Sequence, residues 1–264
     1  MLKKITNYLT PKKVEDYYDA WNANYLTGFG LIFQSKVAEN DEQLINYYAN
    51  QMGIQNGSTI LDAGCGVCGV AVELAKLNNI TIDAVTISGE QVTYGRELVS
   101  KNGLDEKITV FKDDFHLLSN FKNDHYDIIY FMESLVHSNN PRKVIKRAKQ
   151  LLKPDGIIYI KDLFEKTPYT KSEKKDIRKW VKHNNKHIKL NIIPKEELLT
   201  ILRKEGFQLE FCQLMRIPTN QDKGNKFVVD FHIMPDPLKH SLPPYLEWYE
   251  IKAIKPGPNI VQKM

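Results

Sequence analysis

Cysteine is scarce in this chain. Among 264 residues there are three, Cys65, Cys68 and Cys212. Three cysteines make no disulfide framework, so the expectation is a reducing compartment and a core that packs without covalent cross-links. Long apolar runs are lacking too. No stretch nears the roughly 20 apolar residues that span a bilayer. The first residues, Met1-Leu2-Lys3-Lys4-Ile5-Thr6-Asn7-Tyr8, lack the apolar run of a secretory signal. The sequence therefore predicts a cytoplasmic protein with no membrane span. No internal repeat and no low-complexity tract is visible. Charge of one sign is not concentrated either. The formal net charge is +5, spread along the chain, which permits an anionic ligand without demanding nucleic acid.

What is present is a change of period. Residues 1–55 read as helical and aromatic, with Tyr17, Tyr18, Trp21, Tyr25, Phe29, Phe33, Tyr47 and Tyr48, broken by a loop at Gly28 and Gly30. From residue 59 short apolar runs alternate with helical spacings. Strands are expected at 59–63, 81–87, 108–111, 126–131 and 157–160. Helices are expected at 70–77, 90–102 and 141–152, with a turn at Pro154-Asp155-Gly156. Five such alternations predict an α/β fold: a doubly wound, mostly parallel, seven-stranded Rossmann-like sheet with an N-terminal helical lid. A ligand site then lies at the carboxyl ends of the strands. A helix is expected at 194–205. Residues 207–216 and 226–234 are expected to pair as a final antiparallel couple. The organisation read from this is a lid at 1–55, a cofactor-binding domain at 56–235 with a basic helical insertion near 166–190, and an irregular tail at 236–264.

The strongest motif is Leu61-Asp62-Ala63-Gly64-Cys65-Gly66-Val67-Cys68-Gly69. Glycines 64, 66 and 69 allow a tight turn and a close ligand approach, and the helix behind them presents free N–H groups. A dinucleotide would lay its pyrophosphate there. Asp62 argues against that, because its carboxylate suits a cation. S-adenosylmethionine (SAM) carries a sulfonium and an ammonium and no phosphate. The segment resembles the first motif of class I SAM-dependent methyltransferases. Cys65 and Cys68 also form a C-x-x-C pair. Such a pair can serve redox or zinc chemistry, yet small residues filling a tight turn explain it better. No metal ligand set is assigned.

Later segments extend the resemblance. Thr86-Ile87-Ser88-Gly89-Glu90-Gln91 resembles a segment of cyclopropane synthases and tocopherol methyltransferases. The resemblance implies Ser88 and Gln91 beside the ribose and methionine parts of SAM. Ser88 is equally a helix N-cap. In Asp113-Asp114-Phe115 the resemblance implies a carboxylate, Asp114 before Asp113, accepting from the adenine amine, with Phe115 against the ring. Met132-Glu133-Ser134-Leu135-Val136-His137 is similar to a tocopherol-type segment. It points to Glu133 and His137 as catalytic, His137 as a general base. Tyr17-Tyr18-Asp19 through Phe33 resembles the lid of sterol C-methyltransferases, with Phe29 where tryptophan is usual and Gln34 where histidine is. Tyr17, Tyr18 and Tyr25 are its candidates for reaching the cofactor, Tyr17 and Tyr25 foremost. The resemblance covers residues 14–165.

It implies SAM-dependent methyl transfer, with S-adenosylhomocysteine as product, to a small isoprenoid or natural-product-like acceptor at carbon or oxygen. Two alternatives stand beside it. One is a cyclopropane-synthase-like lipid enzyme, disfavoured because Val136 precedes His137. The other is an RNA methyltransferase, suggested by the cations from Lys171 to Lys189 but lacking any N-P-P-Y or D-P-P-Y motif. A homo-oligomer is compatible with the sequence.

Overall fold

The structure is a computed structural model, and it describes residues 9–32, 40–168, 170–216 and 246–258. The sheet has seven strands in the order β3-β2-β1-β4-β5-β7-β6. They are β1 (Thr59–Ala63), β2 (Thr81–Thr86), β3 (Ile108–Lys112), β4 (Tyr126–Met132), β5 (Leu152–Glu165), β6 (Gln208–Leu214) and β7 (Leu246–Ile254). The first five are parallel, and β7 runs antiparallel to both β5 and β6. The expected mostly parallel, seven-stranded architecture is the one found.

Both faces of the sheet are buried, which is why its central strands read as nearly continuous apolar runs. Alternate residues serve opposite faces. Ile60, Ile128 and Tyr130 pack with Ile45, Tyr48 and Leu74, from α2 (Asp41–Met52) and α3 (Gly69–Leu77). Leu61, Ala63, Ile129 and Phe131 pack with Ile145 and Leu198, from α5 (Pro141–Leu151) and α7 (Lys195–Lys204). Ile129 is fully buried. Its truncation to alanine would cost about 2–5 kcal/mol from lost transfer energy and the cavity left behind.

Two elements flank the carboxyl ends of the strands. Helix α1 (Pro11–Phe29) starts at Thr10, whose hydroxyl accepts from the Lys13 N–H, and has Pro11 in its first turn. It runs through Gly28 and stops at Gly30, the second of the two glycines expected to break it. Helix α4 (Gly89–Lys101) is capped by Ser88. The two helices are joined by Ser88 donating to Asp19 at 2.5 Å, and α1 also reaches the end of β3 through a Lys112–Glu15 ion pair at 2.7 Å. On the other side, α6 (Lys171–His187) buries Ile177, Trp180 and Val181 against Val136, Leu163 and Leu190.

The carboxyl-terminal third departs from expectation in two ways. The strand expected at 226–234 lies outside the described residues. The partner of β6 is instead β7, which is formed by residues expected to be an irregular tail and which sits between β5 and β6. Residues 154–156, read as a turn, lie inside the long β5. Asp155 adopts a left-handed φ of 61° there, beside a register shift between Tyr126 and Ile128. A bulge therefore absorbs the turn signal without ending the strand.

Candidate functional site

The end of β1 turns sharply. The N–H groups of Gly64 and Cys65 both donate to the Val85 carbonyl at 2.9 Å, tying the loop to the end of β2. Gly64 has φ 100°, and a Cβ on it would lie 2.3 Å from the Ser134 Cβ. No side chain fits there. Gly69 is required for a different reason. A Cβ on it would meet the Leu31 carbonyl oxygen at 2.0 Å, so the segment after α1 crosses directly over the start of α3.

In front of this loop lies a cavity enclosing about 900 Å³ of empty space, part of it open to solvent. Its walls include Val14, Leu31, Val67, Val85, Ile87 and Met132. Among the described residues its polar lining contains four carboxylates, Asp62, Asp113, Asp114 and Glu133, and no lysine or arginine. None of these described groups offers a pyrophosphate a cation. A cationic ligand does find carboxylates.

Asp62 is buried, and its carboxylate accepts a hydrogen bond from the Tyr130 hydroxyl at 2.7 Å. Burial pushes its pKa up to about 7 against the opposing pull of that bond. At the end of β2, Thr86 donates to the Gln91 side chain at 2.6 Å, fixing Gln91 on the cavity wall. Ser88 does not line the cavity. It is fully buried, accepts from the Gln91 N–H at 3.1 Å and donates to Asp19. Its place is at the joint between α1 and α4.

Asp113, Asp114 and Phe115 all line the cavity, and His116 joins them. Oδ1 of Asp114 accepts from the His116 backbone at 2.9 Å and contacts its Nδ1 at 2.5 Å. A carboxylate only accepts, so Nδ1 carries the proton. His116 Nε2 lies 2.8 Å from the Ser138 hydroxyl. Burial alone would raise the Asp114 pKa. The His116 hydrogen bonds outweigh it and hold the group below its ordinary value, so Asp114 is ionised.

The segment after β4 is the most constrained. Glu133 has a left-handed φ of 52°, held by its N–H donating to the Lys161 carbonyl at 2.7 Å. Its carboxylate pairs with the fully buried Lys161 ammonium. Ser134 donates to the Ala63 carbonyl at 2.6 Å. Asp162 accepts from the Val136 N–H at 2.9 Å, and burial pushes its pKa up to about 7. His137 is gripped at both nitrogens. Its Nδ1 lies 2.8 Å from the Lys189 carbonyl, and its Nε2 lies 2.7 Å from the Tyr18 hydroxyl. The carbonyl can only accept, so Nδ1 is protonated, and in neutral imidazole Nε2 accepts a hydrogen bond from the Tyr18 hydroxyl. Burial depresses the His137 pKa to about 4, which keeps the ring neutral.

The structure thus brings together Asp62, Gly64, Cys65, Gly66, Gln91, Asp113, Asp114, Phe115, Glu133 and His137. Of the three candidate tyrosines of α1, Tyr18 lines the cavity; Tyr17 and Tyr25, the two favoured from the sequence, pack behind it with their hydroxyls 3.0 Å apart. Asp19, Tyr130, Lys161 and Asp162 were given no role from the sequence. Lys161 and Asp162 carried a usable signal, since two charges inside the apolar run of β5 require partners. Among the described residues no cluster of three metal-ligating side chains occurs, and no helix is long and apolar enough to cross a membrane.

Comparison with known proteins agrees with this geometry. Residues 33–210 match the family model of a methyltransferase domain, and the chain belongs to that family. The methyl donor of the family is SAM. Its relatives include the sterol 24-C-methyltransferase of Aspergillus fumigatus, 28% identical over 62% of this chain and 43% of that enzyme. The chain thus spans less than half of that relative. Among solved structures, the cyclase SpnF superposes with a TM-score of 0.76 at 20% identity, over 94% of this chain and 97% of that one. Geranyl diphosphate C-methyltransferase from Streptomyces coelicolor gives a TM-score of 0.71 at 14% identity, over 95% and 98%. At these identities the superpositions speak for the fold alone, and a cyclase among them shows that the fold does not dictate the reaction.

Proposed function

We propose that this protein transfers the methyl group of SAM to a small, largely apolar acceptor of isoprenoid or natural-product type, at carbon or oxygen. The observation that carries the reading is the lining of the cavity: among the described residues, four carboxylates and no lysine or arginine, built around a glycine turn. Asp62 and Gln91 would hold the amino-acid and ribose parts of the donor. Asp114 would accept from the adenine amine, with Phe115 beside the ring. When bound, SAM supplies an electrophilic methyl on a sulfonium. The apolar wall of Val14, Leu31 and Met132 suits an apolar acceptor and excludes water.

Alignment of the acceptor is the chain's main contribution. Tyr18 reaches the cavity from α1, and its hydroxyl donates to Nε2 of His137 at 2.7 Å. A proton leaving the acceptor would pass to the hydroxyl oxygen as the Tyr18 proton moves to Nε2 of His137. Glu133, close enough to His137 to favour its protonated form, would stabilise the ring at that moment. The names of the relatives, acting on sterols and geranyl diphosphate, support an isoprenoid-like acceptor.

The test is methyl incorporation from radiolabelled SAM into a panel of isoprenoids, phenols and amines. Label extracted with an isoprenoid or phenol is the expected result. Transfer to amines alone would overturn the acceptor assignment.

A further inference from the structure

The C-x-x-C pair has no part in the proposed reaction, and the fold has placed it in the glycine turn. The Cys68 N–H donates to the Cys65 carbonyl at 2.9 Å, closing a turn of four residues. Such a turn keeps its end Cα atoms within about 7 Å, compatible with the separation that a disulfide needs. The two sulfurs already touch, with Sγ to Sγ at 3.5 Å. Both thiols are free. Their surroundings differ. Cys65 is half-buried and lines the cavity, whereas Cys68 is fully buried. The Cys68 sulfur seats against Gly95 of α4, where a Cβ would approach it to 2.8 Å.

We infer that Cys65 and Cys68 form a reversible disulfide that closes the cofactor site to SAM, an inference that rests on the donor site proposed above. The oxidant is a small disulfide such as oxidised glutathione. Cys65, reachable through the cavity, attacks one of its sulfurs, breaking that S–S bond and releasing one glutathione thiolate. Cys68 then attacks the mixed disulfide, forming the Cys65–Cys68 bond and releasing the second glutathione. The two cysteines lose two protons and two electrons, which leave as two glutathione thiols. Closing the sulfurs from 3.5 Å to the ~2.05 Å of a disulfide moves them about 1.5 Å relative to each other. Gly95 confines Cys68, so the shift falls on Cys65 and on the turn between Gly64 and Gly66. That is the backbone a bound donor must approach. Burial raises the Cys65 thiol above its ordinary pKa, so exchange is slow at neutral pH and quickens as pH rises.

The experiment uses the full chain, reduced or incubated with oxidised glutathione, read by peptide mass and by titration with S-adenosylhomocysteine. The expected result is a loss of two hydrogens confined to the peptide containing residues 65 and 68. S-adenosylhomocysteine affinity should fall at least tenfold and return with dithiothreitol. Ligand added beforehand should protect the pair. Cys68→Ser should show neither the internal disulfide nor this reversible pair-dependent loss, whereas Cys212→Ser should respond like the parent. Absence of the two-hydrogen loss overturns the inference, as does a complete disulfide with unchanged affinity. Failure of the reduced protein to bind the ligand would instead count against the donor site itself.

Discussion

Lys161 is the residue whose removal tests the site's electrostatics most sharply. Its side chain is 0% exposed, and its partner Glu133 is 6% exposed. Replacing Lys161 with methionine keeps much of the volume and removes the cation. Glu133 is then left as a buried carboxylate without its ion partner. Breaking a buried pair in this way typically costs about 3–5 kcal/mol, because the desolvation of the remaining charge is no longer offset. Against a typical total stability of about 5–15 kcal/mol, that is a large share. For a chain of this size it corresponds to a Tm lower by roughly 6–20 °C. The double variant Lys161→Met with Glu133→Gln removes both charges and should recover most of the loss. The assay is urea denaturation of the parent, each single variant and the double variant, completing a cycle. A Lys161→Met loss below 1 kcal/mol, or additive effects in the double variant, would refute the assignment of Glu133 as a charge held by Lys161.

Further outcomes are expected at Asp62, His137, Tyr18 and Gly64. Asp62 has its pKa pushed up to about 7, so its carboxyl is protonated in a sizeable fraction of the free protein at pH 7 and below. A bound cation favours the ionised form. SAM binding near pH 6–7 should therefore release up to about one proton, and affinity should fall as pH drops through 7. Calorimetry in buffers of different ionisation heat measures this, and a buffer-independent heat would count against it. The same raised pKa contributes stability that is complete below the ordinary carboxylate value and is lost as pH rises through about 7. His137, held near 4, should contribute no limb to the rate profile between pH 5 and 8. Tyr18→Phe, which removes its hydrogen-bond partner, should lower kcat by roughly tenfold with KM little changed; an unchanged kcat would remove Tyr18 from the proton path. Gly64→Ala should abolish SAM binding, since its Cβ would collide with Ser134 at a backbone φ of 100°. Normal affinity in that variant would sink the glycine-turn assignment.

The glycine turn, Asp62, Gln91 and the residues after β3 and β4 were legible because each is a local signal at a strand end, and parallel strands bring their carboxyl ends to one place. Helix α1 was legible as a helix but not in its docking. Tyr18 and Tyr25 share one face about two turns apart, and Tyr17 lies about 100° around the axis from Tyr18, so which one reaches the cavity depends on how α1 docks. The bonds from Asp19 to Ser88 and from Glu15 to Lys112 decide that, and they join residues far apart in the chain. Strand β7 was hidden for a similar reason. Glu247, Glu250 and Lys252 give its sequence a polar look. Yet Glu250 is fully buried, its carboxylate taking the hydroxyls of Tyr47 from α2 and Tyr159 from β5. A buried acid satisfied by two distant tyrosines leaves no mark in local spacing. Lys161 and Glu133 make the same point inside the site.

The carboxylates around the glycine turn suit a cationic adenosyl donor. Isothermal titration of the reduced protein with SAM, S-adenosylhomocysteine and NAD at pH 7.5 tests it most directly. Micromolar binding of the first two, no binding of NAD, and loss of SAM binding in Asp62→Ala are expected. Binding of NAD, or of none of the three, would contradict the donor assignment.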